Sequence, residues 1–221
     1  MNSNKKTAKL AGLLYLLFIV AFIASTVLRS KLLVPGDASA TLSNISESEW
    51  IFKLSIVFEL ISLFFFLSAA WALYVLLNPI GKNLALLFLL LNVTGVAIEC
   101  VSTLFLLTTS LIAHGDLKTV DGMNLPDAVI FSIHLYQNGF MIAQLFFSTW
   151  LLPLGYLVYK SAFLPKALGV LLMLDFFFWF LYFLQYFLFP DFKQIVYVSF
   201  PVAIAAEFSL TLWLLIKGVK E

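Results

Sequence analysis

Six long apolar runs dominate this chain, and each is about the length needed to cross roughly 30 Å of hydrocarbon, which takes about 20 mainly apolar residues. They fall at about 8–28, 52–77, 84–113, 128–158, 167–189 and 196–217. In lipid an unclosed strand would leave backbone amides unpaired, so each run is expected to be a helix. The whole-chain balance agrees: 62% of the 221 residues are hydrophobic and 11% are charged. A water-soluble domain runs nearer half apolar and a quarter charged. The expected fold class is therefore all-α, a polytopic bundle of six transmembrane helices forming one domain over residues 1–221.

The remaining composition excludes several function classes. A net charge of +1 offers no basic field for nucleic acid. A single cysteine, Cys100, allows neither a disulfide framework nor a thiolate metal site. The Lys-rich start (Lys5, Lys6, Lys9) resembles a signal peptide, but the run behind it is longer than a signal core, and Phe22 stands where a small residue would be wanted if cleavage followed Ala24. It reads as a retained first span. No Gly-x-Ser-x-Gly elbow, His-Glu-x-x-His or phosphate-binding glycine loop is present. Gly-x-x-x-Gly is missing too, so the sequence specifies no glycine-mediated dimer and no oligomeric state. Asn44-Ile45-Ser46 matches a glycosylation sequon, a weak motif alone.

Orientation is read from the basic residues. Lys5, Lys6, Lys9, Lys82, Lys160, Lys166, Lys217 and Lys220 lie on the amino-terminal side; Arg29, Lys31, Lys53, Lys118 and Lys193 lie on the other, with most of the loop acids, Asp121 among them. Both termini are expected in the cytoplasm. Between the first two spans, Pro35-Gly36-Asp37 precedes Ala38-Ser39-Ala40-Thr41-Leu42, a pattern for a short helix with Asp37 as N-cap and Trp50 as interfacial anchor. Such a helix would lie on the membrane surface or lid a cavity. Pro153 and Pro201 are the candidate hinges.

Ionisable residues inside spans cost roughly 3 kcal/mol each on insertion scales, so each is a functional hypothesis. Here they are Glu59, Glu99, His134, Asp175 and Glu207, with no Lys or Arg expected at similar depth. Helical spacing puts Ser55, Glu59 and Ser62 on one face, and likewise Asn92, Gly95 and Glu99. The fourth span carries His134, Gln137, Met141, Gln144 and Ser148; the fifth, Asp175, Tyr182 and Gln185; the sixth, Ala203, Glu207 and Thr211. These stripes are expected to face one another. At about 1.5 Å per residue, Glu59, Glu99 and His134 fall at one level toward the far side, and Asp175 and Glu207 nearer the midplane.

Two carboxylates and an imidazole suit a divalent cation such as Zn²⁺ or Mn²⁺, which makes Glu59, Glu99 and His134 the candidate metal ligands. The same groups also suit a proton relay, or a hydrogen-bonded network that fixes helix packing. Asn92, Gln137, Gln144, Asp175 and Glu207 complete the candidate binding set for a small solute or cation. Cys100 reads as a small buried residue. Transport or binding through a buried acidic site, a membrane-embedded metal-dependent enzyme, and an assembly protein without chemistry remain three open readings.

Several stretches carry a family resemblance. Lys5 to Tyr15 (KKTAKLAGLLY), Val34 to Thr41 (VPGDASAT) and Trp150 to Ser161 (WLLPLGYLVYKS), continuing through Phe163-Leu164-Pro165-Lys166-Ala167-Leu168-Gly169, resemble a bacterial family of six-helix membrane proteins known as domain-of-unknown-function family 4386. Ala162 stands where that family suggests Gly, and His134 and Glu207 fall where it suggests polar residues. The resemblance implies six-span topology and a bacterial inner membrane, and it carries over no catalytic residue.

If the charge asymmetry sets the topology, green fluorescent protein fused after Glu221 fluoresces and alkaline phosphatase fused there is inactive. The opposite pair of results would reverse the orientation.

Overall fold

In the computed structural model, residues 3–117, 123–192 and 194–219 are described, with side chains from 4 onward except 194–196. Lys118, Asp121, Lys193 and Lys220, used above for orientation, lie outside them. The described residues form eight helical segments and the two compact units treated below. The segments are α1 (Ser3–Ser30), α2 (Ala38–Glu47), α3 (Glu49–Leu77), α4 (Lys82–Ala113), α5 (Leu125–Thr149), α6 (Leu151–Lys160), α7 (Lys166–Leu188) and α8 (Gln194–Ile216). Six stretches are long and apolar enough to span a membrane, α5 and α6 together making the fourth, Leu125–Lys160. The protein is a multi-pass, all-helical membrane protein, as the apolar runs require.

The sidedness of α1 shows why. Leu10, Leu13, Leu17, Val20, Ile23 and Val27 form an exposed stripe at three- and four-residue spacing, while Ala8, Ala11, Tyr15, Ser25 and Arg29 are buried. Most of the large aliphatic side chains face outward while Tyr15, Ser25 and Arg29 face inward, the reverse of a soluble helix.

Pro153 lies inside the fourth span and has no N–H for the carbonyl of Thr149, so one rung of the helical ladder is missing there. The backbone at Trp150 stays right-handed helical, its amide donating to the Phe146 carbonyl at 3.0 Å and its carbonyl accepting from the Leu154 amide at 3.2 Å, so α5 and α6 run on as one span. Pro201 has the same chemistry, and α8 continues through it. Each of the two expected hinges thus removes one hydrogen bond without ending its span.

One compact unit comprises Met1–Leu16, Phe65–Val96 and Met141–Glu221. Trp150 is buried at its centre, stacked on Tyr15 at 6.4 Å between centroids and meeting Phe66 edge-on at 5.1 Å. Aromatic pairs at such offsets contribute about 0.5–1.5 kcal/mol beyond the area they bury. Small residues bring backbones together around this nest. A Cβ on Gly169 would stand 2.5 Å from the Tyr159 amide nitrogen, and one on Gly155 would stand 2.8 Å from the Gly169 carbonyl oxygen. The α6–α7 crossing thus needs glycine on both sides.

The other unit comprises Leu17–Phe64 and Ala97–Phe140. Its apolar core gathers Ile45, Phe52, Ile56, Leu106 and Val129, among others. The expected short helix is present: Asp37 caps α2 by accepting from the Ala40 amide at 2.8 Å. Before it, the Asp37 amide donates to the Val34 carbonyl at 3.1 Å across Pro35 and Gly36, whose φ of +80° only glycine adopts freely. Asn44 of the sequon donates to the Leu32 carbonyl at 3.2 Å, and Ile45 beside it is fully buried.

Gly169→Ala should lower stability in detergent by about 1–3 kcal/mol, because the obstructing atoms are backbone. Thermal or SDS-titrated unfolding reads the loss, and wild-type stability in this variant would contradict the crossing.

Candidate functional site

The stripe on α1 that the sequence reading passed over supplies the central partner of the first site. Ser25 and Arg29 are one turn apart on its buried face, and Arg29 forms an ion pair with Glu59 of α3. The expectation that no basic residue reaches the buried acids is therefore corrected. Arg29 closes the first span, and its long side chain runs inward instead of out to the surface, leaving 7% of the residue exposed. The same Arg29 Nη2 donates to Ser25 Oγ at 2.6 Å. Ser25 Oγ donates to Glu59 Oε2 at 3.1 Å, and the Tyr136 hydroxyl donates to Glu59 Oε1 at 2.6 Å. The guanidinium also lies over the Tyr136 ring, 4.8 Å from its centroid. Both oxygens of Glu59 are thus engaged. Glu99, buried on α4, lies within electrostatic reach of Arg29.

His134 does not join this network. Its side chain and that of Gln137 are exposed, and among the described residues no three of His, Cys, Asp and Glu form a group able to hold a metal ion. The metal trio of Glu59, Glu99 and His134 is not assembled. The reason is the packing face of α5: Val129, Ile133, Tyr136 and Gly139 follow one another at helical spacing, and a Cβ on Gly139 would overlap Ser102 of α4. Tyr136 therefore points inward and His134 beside that face points away. Further along the expected stripe, Met141, Gln144 and Ser148 are buried as anticipated. Cys100 is half-buried.

A second group of polar residues occupies the other unit. Asp175 of α7 is wholly buried, and neither carboxylate oxygen accepts a hydrogen bond from any described residue. α7 packs against α8, and Asp175 lies within electrostatic reach of Glu207. Glu207 Oε2 accepts from the Tyr15 hydroxyl of α1 at 2.9 Å. Tyr15, through its bond to Glu207, is thereby added to the expected Asp175–Glu207 group. Asn92 is also fully buried, with both amide atoms unpartnered among the described residues, and Gln144 is buried in the same unit. Gln185, on the Asp175 stripe, donates to the Phe189 carbonyl at 3.1 Å and serves the end of α7.

A model of a known family matches residues 10–218 of this chain. The chain belongs to that family, described as Domain of unknown function (DUF4386). One relative of this DUF4386 protein is a protein of Archaeoglobus fulgidus described as "Uncharacterized protein", 32% identical over 107 residues. That match covers 48% of this chain and 51% of the relative, so the chain spans about half the length of the curated relative it matches. No solved structure matches the DUF4386 chain.

Tyr15, Tyr136, Ser25 and Arg29 were missed as site residues. The signal lay in α1, where Ala8, Ala11, Tyr15, Ser25 and Arg29 hold one helical face. Arg29→Met should cost about 3–5 kcal/mol, because it strands a buried carboxylate. Adding Glu59→Gln should recover most of that loss. A double-mutant cycle by SDS-titrated unfolding tests the pair, and equal losses in the single and double variants would refute it.

Proposed function

We propose that this protein binds and moves a proton or a small monovalent cation through the Asp175–Glu207–Tyr15 site, coupled to passage of a small solute. The membrane in this reading is the bacterial inner membrane, with both termini cytoplasmic.

The observation that carries the reading is the Asp175 carboxyl. A carboxylate taken from water without a donor is costly, and here no described residue donates to either oxygen. A second acid, Glu207, acts on it, and two like charges in one buried site raise that cost. A proton or a cation offsets it, and exchange of that ion is the step a coupled carrier needs. Tyr15 holds Glu207 by one hydrogen bond and leaves its other oxygen for the exchanging ion. Pro153, which removes one hydrogen bond from the fourth span, supplies a point where that helix can bend.

The Arg29–Glu59 network supports a different role. Its acid is saturated by Arg29, Ser25 and Tyr136, which suits fixing the packing of α1, α3 and α5.

In proteoliposomes loaded with a pH-sensitive dye, the wild-type protein should dissipate an imposed proton gradient. Asp175→Asn and Glu207→Gln should reduce the rate to that of protein-free vesicles. Wild-type flux in both variants, or no flux above the protein-free rate in the wild type under proton, sodium or potassium gradients, would overturn the reading.

A further inference from the structure

A cavity of about 450 Å³ opens in the unit that holds Arg29 and Glu59. Its volume falls within the roughly 300–1,000 Å³ typical of small-molecule sites. One wall is the turn from Leu33 to Ala38 and the start of α2; the other is α5, through Ile130, Ile133, His134 and Gln137. We propose that this cavity binds an uncharged amphipathic molecule, an apolar body bearing a carbonyl or hydroxyl group that His134 and Gln137 hydrogen-bond. The inference stands apart from the cation-site reading and uses none of its residues.

Three observations carry it. First, His134 and Gln137 are exposed polar side chains inside an apolar span, one turn apart on α5. Such residues are costly against lipid and occur where they face a cavity, and these two line one. Second, on the opposite wall Thr41 and one oxygen of Asp37 are already engaged. Thr41 Oγ1 accepts from the Val34 amide at 3.0 Å, and Asp37 Oδ1 accepts from the Ala40 amide at 2.8 Å. Recognition thus falls to the imidazole and the carboxamide, each able to donate and to accept. Third, among the described residues no Lys or Arg lines the cavity, so an anion finds no permanently charged cation there, while the remaining lining is mainly aliphatic. The turn is held by Pro35, by Gly36 at positive φ and by the Asp37 cap, so the wall is formed in advance of binding.

Benzophenone is a suitable probe, being an uncharged apolar ketone that inserts into nearby C–H bonds on illumination. The protein in lipid vesicles would be photolabelled and the modified peptides mapped by mass spectrometry. Labelling should concentrate on residues 33–41 and 130–137, and fall about tenfold in the His134→Ala/Gln137→Ala variant, as expected for losing hydrogen bonds to the head group. Ala38→Trp, which fills the cavity from its α2 wall and leaves both polar residues in place, should abolish it. Benzophenone-4-carboxylate should label these segments less than benzophenone does. Labelling spread evenly over the lipid-facing helices, or unchanged in both variants, would overturn the site. Stronger labelling by the carboxylate would overturn the uncharged ligand class.

Discussion

The cost of a polar group without a partner in hydrocarbon governs this structure. Backbone amides meet it by forming helices, which leaves side chains as the means of telling one helix face from another. On α1 leucines, valines and an isoleucine form the outer stripe, while Ala8, Ala11, Tyr15, Ser25 and Arg29 lie inside. Because lipid is as apolar as leucine, burial of leucine against a neighbouring helix contributes little here. Close approach at glycine, aromatic nesting around Trp150 and polar contacts between helices do the specifying.

The two polar groups meet the same constraint by opposite means. Glu59 is surrounded by an arginine, a serine and a tyrosine, each giving it a hydrogen bond. Asp175 has no donor among the described residues and a second acid within reach. A saturated acid is a fixed structural element, because displacing any partner strands a charge. An unsaturated acid stays exchangeable, because its partner can be a mobile ion. The difference in satisfaction, more than the presence of acids, separates a packing network from a candidate site.

Much of the fold was legible because span length and apolarity are local properties. The Asp37 cap and the inward faces of Glu59, Glu99, Asn92, Asp175 and Gln144 all follow from spacing and from residue chemistry. The Glu59–Glu99–His134 trio failed for a specific reason. Equal depth along separate helices says nothing about rotation, and the Gly139 contact with Ser102 fixes the rotation of α5 with Tyr136 inward. Arg29 was assigned to the surface by its position at the end of a span, although its stem is long enough to turn back.

The sequence by itself determined that the chain is a six-span helical membrane protein with acids buried in its helices, because composition and period act within one segment. Tertiary structure alone decided which acid is neutralised, which side chain faces the cavity and which helices touch through glycine. Those outcomes depend on how each helix is rotated about its axis against its neighbours, and rotation is set by contacts between residues far apart in the chain.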